Sequence, residues 1–156
     1  LKEEAILYPV IKWFHIMAAI AALGANLTYG IWLSLAAREE KSLAFALRGI
    51  QRLDQRLANP SYGVLLVTGV LMVVAARLPL TLPWLLVALV LYVLTALVGI
   101  LAYAPLLRRQ VKLAETPGPA SPEYREAASR SLRFGVLTVV LVAAIVFLMV
   151  VKPALW

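Results

Sequence analysis

The sequence contains no cysteine. That absence excludes a disulfide framework, a thiolate metal site and a cysteine nucleophile together. Histidine occurs once, at His15, so no bis-histidine site can form within one chain. Charge is scarce: 15% of residues are Asp, Glu, Lys or Arg, against roughly 25% in ordinary soluble domains. There is no Walker loop, no dinucleotide fingerprint and no Ser/His/Asp constellation. Methionine is limited to Met17, Met72 and Met149, without a Met-x-x-Met or His-x-His motif. Those are too few soft ligands for a Cu(I) path.

What is present is hydrocarbon. Of 156 residues, 63% are hydrophobic, and the mean hydropathy is +0.89. A soluble domain of this size could not hide so much apolar surface, so the chain reads as a single integral membrane domain over residues 1–156. The formal net charge is +7. The basic residues cluster between the apolar runs, which points to anionic lipid headgroups rather than nucleic acid.

Four uncharged runs are long enough to cross a bilayer: Trp13–Ala37, Leu57–Ala76, Leu78–Leu107 and Phe134–Val151. With their flanks they predict spans of about 10–37, 59–77, 83–107 and 133–152. Ala22-Leu-Gly-Ala25 has the look of a signal-peptide cleavage site behind Lys2 and Lys12. The apolar run continues past it, so the segment is expected to be a retained helix. Two prolines, Pro79 and Pro83, break the chain between spans two and three. The expected fold is all-α: a four-helix transmembrane bundle of two antiparallel hairpins with helical cytoplasmic extensions.

Orientation follows from the cations. The connection after span one carries Arg38, Lys41, Arg48, Arg52 and Arg56. The connection after span three carries Arg108, Arg109, Lys112, Arg125, Arg130 and Arg133. Together they hold 11 of the 15 basic residues, which predicts both connections in the cytoplasm and both termini outside. Trp13, Trp84 and Trp156 then fall at the outer interface, and Trp32 at the inner one. Ser42 is expected to cap the first cytoplasmic helix, and Asn59-Pro60 to kink it at the membrane. Ser121-Pro122 starts the second. Asp54 is expected to tie the two connections by an ion pair. Tyr62-Gly63-Val64-Leu65 echoes Phe134-Gly135-Val136-Leu137, a weak internal repeat.

Polar groups inside the spans are few and patterned. On a helical wheel Ala22 and Asn26 lie about 20° from His15, and Tyr29 about 40°. Lys12, His15, Ala18, Ala19, Ala22, Asn26 and Tyr29 therefore form one stripe, with Ile16, Ile20, Leu23, Leu27 and Ile31 opposite and suited to lipid. Span three offers Tyr92, Thr95, Gly99 and Tyr103; span two Ser61, Tyr62, Thr68 and Gly69; span four Ser131, Gly135 and Thr138. Threonines and glycines of this kind serve helix packing, with hydroxyls bonding across helices. An ionisable residue in a span is a functional candidate, and neutral imidazole is a haem-iron ligand.

These pieces resemble a known family. Ile11-Lys-Trp-Phe-His15 with Gly24 and Asn26, Phe45-Ala-Leu-Arg48, Arg52-Leu-Asp54, Leu106-Leu-Arg-Arg-Gln110, Pro122-Glu-Tyr-Arg125 and Val151-Lys-Pro153 match the bacterial integral membrane proteins of domain-of-unknown-function family 2269. Ile11-Lys12-x-x-His15-Ile16 with Gly24 is also distantly similar to the first helix of copper-resistance D type proteins and of the haem-binding membrane protoporphyrinogen oxidase. That likeness implies His15 as a haem b ligand. The oxidase family's lysine in a later helix has no counterpart between Leu78 and Leu107. The resulting expectation is a haem b-binding or redox-associated protein. His15 would be the axial ligand and metal-binding residue, with Asn26, Tyr29, Tyr92 and Tyr103 around the pocket. The alternatives are a cofactor-free structural or assembly subunit and a small transporter. A homodimer or a larger membrane complex is the expected assembly.

Overall fold

The computed structural model describes the backbone of residues 2–36 and 40–155, and the side chains of residues 6–36 and 42–155. Arg38, Trp156 and the side chain of Lys41, all used to orient the chain, lie outside the described residues, as does the side chain of Lys2. The described chain is helical with short turns and contains no strand. Six α-helices follow in order: α1 (Lys2–Ala36), α2 (Glu40–Leu53), α3 (Asn59–Ala75), α4 (Pro83–Leu97), α5 (Ala104–Glu115) and α6 (Pro122–Val151).

Two pairs of helices are continuous. A π-helical turn, Asp54–Ala58, carries α2 into α3, and a second, Val98–Tyr103, carries α4 into α5. The molecule is thus four rods. Ile6–Ala36, Ser42–Ala75, Pro83–Glu115 and Pro122–Val151 are each long and apolar enough to cross a membrane. The longest, of 34 residues, measures about 51 Å at 1.5 Å per residue. The hydrocarbon layer is only about 30 Å thick. At one end α2, α5 and the first turns of α6 carry most of the arginines. We call this the basic end.

Proline explains the π-turns. A helical proline lacks an N–H and its ring collides with the carbonyl four residues back. Pro60 and Pro105 each follow a π-turn by two residues. Just before them, Asn59 N–H donates to Asp54 O and Ala104 N–H to Gly99 O, five residues back instead of four. The wider turn makes room for the ring, and the helical backbone stays continuous through Asn59-Pro60. Ser42, expected as a cap, sits inside α2, which begins at Glu40. Ser121 does cap: its Oγ accepts from Tyr124 N–H at 3.2 Å, with Pro122 in the first turn. Gly118, at φ +113°, donates its N–H back to Leu113 O and closes α5.

The helices pack as two hairpins, α1 on α3 and α4 on α6, joined where α1 meets α6. At the basic end α2 rests on α1 and α5, and α5 on α6, closing a ring. Its core is built on the fully buried Leu47 and Ile50, with Ala36, Leu107, Val111 and Tyr124 around them. Toward the other end α3 and α4 do not pack on each other. The exposed apolar residues Ile16, Ile20, Leu27 and Ile31 form the outer side of α1, whereas Leu23, expected with them, is only partly exposed.

Candidate functional site

The stripe on α1 turns inward. Ala18, Ala22, Ala25, Asn26 and Tyr29 are buried, His15 is half-buried and Lys12 is exposed. The candidates fall at three depths along this helix. Asn26 is about 16 Å from His15 along the axis, and Tyr29 about 21 Å.

Nearest the end away from the arginines, His15 Nδ1 meets Thr68 Oγ1 at 2.8 Å. Thr68 gives its own hydroxyl proton to Val64 O at 2.6 Å. The imidazole therefore donates from Nδ1, which leaves Nε2 with its lone pair. The ring lies over Gly69, where an added Cβ would sit 3.4 Å from His15 Cε1.

At mid-depth Asn26 Nδ2 donates to Ala22 O at 2.7 Å and to Tyr62 Oη at 3.1 Å. Tyr92 Oη donates to the backbone carbonyl of Tyr62 at 2.8 Å. This is the hydrogen bond that spans the gap between α3 and α4. Three further hydroxyls look to their own helices. Ser61, Thr95 and Thr138 each donate to the carbonyl four residues back, at 2.7, 2.7 and 2.9 Å. The cross-helix bonding expected of Thr95 and Thr138 is not made. Such back-bonding satisfies the hydroxyl without tying helices together.

At the basic end lies buried Asp54, the first residue of its π-turn. Asn59 Nδ2 donates to its Oδ2 at 3.2 Å, and Arg108 on α5 acts on it across space. Tyr29, Tyr62 and Tyr103 lie within its electrostatic reach. The ion pair that joins the two connections is another one, Arg48 with Glu115. The second π-turn also places Tyr103. In an unbroken helix Tyr103 would sit roughly 80° from Thr95; the wide turn acts as one inserted residue and brings it back to about 20°. Both side chains are buried.

Beside this cluster a cleft runs between α1 and α6. It consists of two adjoining hollows of about 520 Å³ and 210 Å³ that share Gly30, Leu33, Gln110, Ala128 and Leu132. Asn26, Tyr29, Tyr103 and Ser131 give the smaller hollow its polar wall. Two buried polar atoms find no partner: Tyr29 Oη and Gln110 Oε1. Both residues line the cleft. His15 and Tyr92 do not. The structure thus brings Asn26, Tyr29 and Tyr103 together, joins Tyr92 to them through Tyr62, and keeps His15 apart. Gln110 was hidden in the sequence among Arg108, Arg109 and Lys112. Its signal was the spacing Tyr103, Leu107, Gln110, Val111 and Ala114, one buried face of α5.

Four long apolar helices around a sparse polar interior define an integral membrane helical bundle, with no cluster of three or more potential metal ligands among the described residues. A family model described as "predicted integral membrane protein", domain-of-unknown-function family 2269, matches residues 9–153, and the chain belongs to this family. No curated protein and no solved structure matches it.

Proposed function

We propose that the protein is a small carrier that binds its cargo in the cleft between the first and last spans. The observation that supports this reading is the cleft itself, open between α1 and α6, with Asn26, Tyr29, Tyr103, Gln110 and Ser131 among the residues of its smaller hollow. The basic end faces the cytoplasm of a bacterial inner membrane under this reading, with both termini outside, because the arginines crowd that end. Anionic headgroups gather around it. The chain works as a homodimer or within a larger membrane complex.

Native mass spectrometry of the protein extracted from its membranes tests the reading. One bound molecule per chain is expected, and it should be lost in Leu132→Trp, which fills the cleft from its rim. Equal occupancy in both proteins would overturn it.

A second reading, a haem b-binding protein, draws on the free lone pair of His15 Nε2. The residues do not fit a common pocket around it. Neither hollow touches His15, and Asn26, Tyr29 and Tyr103 stand at other depths. A haem on His15 would therefore sit at the lipid face or against a partner's copy. A Soret band that disappears in His15→Ala would favour this reading over the carrier.

A further inference from the structure

We infer that Asp54 is a proton-binding site, whose carboxyl takes up and gives back a proton at the basic end where the two hairpins are joined. The site does not depend on what the cleft carries. Asp54 is the only aspartate in the sequence and the only charged residue that is buried among the described residues. A buried ionisable group among transmembrane helices is a functional candidate. A salt bridge is the ordinary reason to keep such a carboxylate, because an unpaired buried charge is costly. Asp54 makes none. The ion pairs among the described residues are Arg48–Glu115 and Arg130–Glu126. Nor does its side chain cap a helix. Its one hydrogen-bond donor among the described residues is Asn59 Nδ2, at 3.2 Å to Oδ2. Oδ1 keeps its lone pairs for a proton.

The neighbours are phenols and one distant cation. Ala58, in the same π-turn as Asp54, packs in one cluster with Tyr29 of α1 and Tyr103 of the second π-turn, and Tyr62 of α3 joins its edge. All three tyrosines feel the Asp54 charge. Phenols ionise near pH ~10, so at neutral pH none of them carries charge. Arg108 on α5 acts on the carboxylate across space rather than in contact. Arg109 and Lys112 on α5 are exposed, and Arg48 is held by Glu115. Asp54 itself lies between the exposed Arg52 and Arg56, ahead of the uncharged run that begins at Leu57. Water around those arginines supplies the proton. A hydronium ion gives it to Oδ1 and leaves as water. The buried charge disappears, Asn59 keeps its bond to Oδ2, and the carboxyl becomes a donor. The attraction between Asp54 on the first hairpin and Arg108 on the second is then lost. Protonation thus acts on the joint between the hairpins, at a wide turn of the kind that recurs at functional sites.

A single aspartate makes the test specific. The full chain is produced by cell-free synthesis with aspartate carrying carbon-13 at Cγ and placed in phosphatidylcholine nanodiscs. Its one Cγ resonance is followed against pH over the range in which helicity stays constant. The expected result is a titration with its midpoint between about pH 6 and 8, against about 3.9 for an ordinary aspartate. A midpoint near pH ~4, or a resonance that does not titrate in that range, would overturn the inference. The wild-type chain decides this point, so no variant has to fold. Arg108→Gln should then move the midpoint upward, because a nearby cation favours the ionised form. Arg109→Gln, exposed on the same helix, should move it much less. Equal shifts in the two variants would overturn the pairing of Asp54 with Arg108.

Discussion

At the basic end four helices close around Leu47 and Ile50, whereas at the other end α3 and α4 stand apart with Tyr92 reaching between them. The difference is one of solvent. The rods are longer than the hydrocarbon layer, and α2 and α5 carry arginines on one side and Leu43, Leu47, Leu107 and Val111 on the other. Around these helices water drives apolar burial. Within the bilayer no such drive operates, because lipid tails are as apolar as the side chains. There the helices are held by van der Waals contact and a few hydrogen bonds: His15–Thr68, Asn26–Tyr62 and Tyr92–Tyr62. Stability thus concentrates at the basic end. The cleft lies at its border, where a packed wall and a lipid-facing rim meet.

The sharpest way to break this contrast is to hollow out each half in turn. Leu47→Ala should cost about 2–5 kcal/mol, read from reversible unfolding in mixed micelles. Val90→Ala, on the exposed face of α4, should change stability by less than about 0.5 kcal/mol. Equal losses would refute the division. A smaller effect comes from the glycines. A Cβ on Gly135 would sit 3.5 Å from Tyr103 Cε2, while one on Gly99 would meet nothing within 4 Å. Gly135→Leu should therefore cost about 1–3 kcal/mol by overpacking and Gly99→Leu almost nothing. The same unfolding assay separates them.

Smaller still is the pairing of His15 with Thr68. A double-mutant cycle of His15→Ala with Thr68→Val should give a coupling of roughly 0.6 kcal/mol, and no more than about 1.7. The smallest effect belongs to Arg48 and Glu115, whose side chains are 46% and 45% exposed. Their coupling should be about 0.2–1 kcal/mol and should fade in high salt. A coupling insensitive to salt would place the pair in a drier setting than the fold provides.

Much of this architecture was legible in the residues. Uncharged runs mark the rods, and His15, Ala22, Asn26 and Tyr29 fall on one helical face that turns inward. Pro60 marked where the helix is disturbed; the wide turn that accommodates its ring, one turn upstream, was not legible. The site was only half visible. Tyr29 and Tyr103 are named by periodicity, but a cleft belongs to the spacing between α1 and α6, which no single helix encodes. Gln110 was masked because basic neighbours make a helix look solvated, although its own face is apolar.

The cysteine-free background permits a direct test of the cleft. Gly30 lines both hollows, and Gly63 lies exposed on α3 outside them; a Cβ at either would meet nothing within 4 Å. In separate Gly30→Cys and Gly63→Cys proteins, the measurement is the alkylation rate by a membrane-soluble maleimide before and after stripping of bound cargo. A ligand seated in the cleft predicts a several-fold acceleration at position 30 and none at position 63. Equal behaviour at the two positions would contradict it.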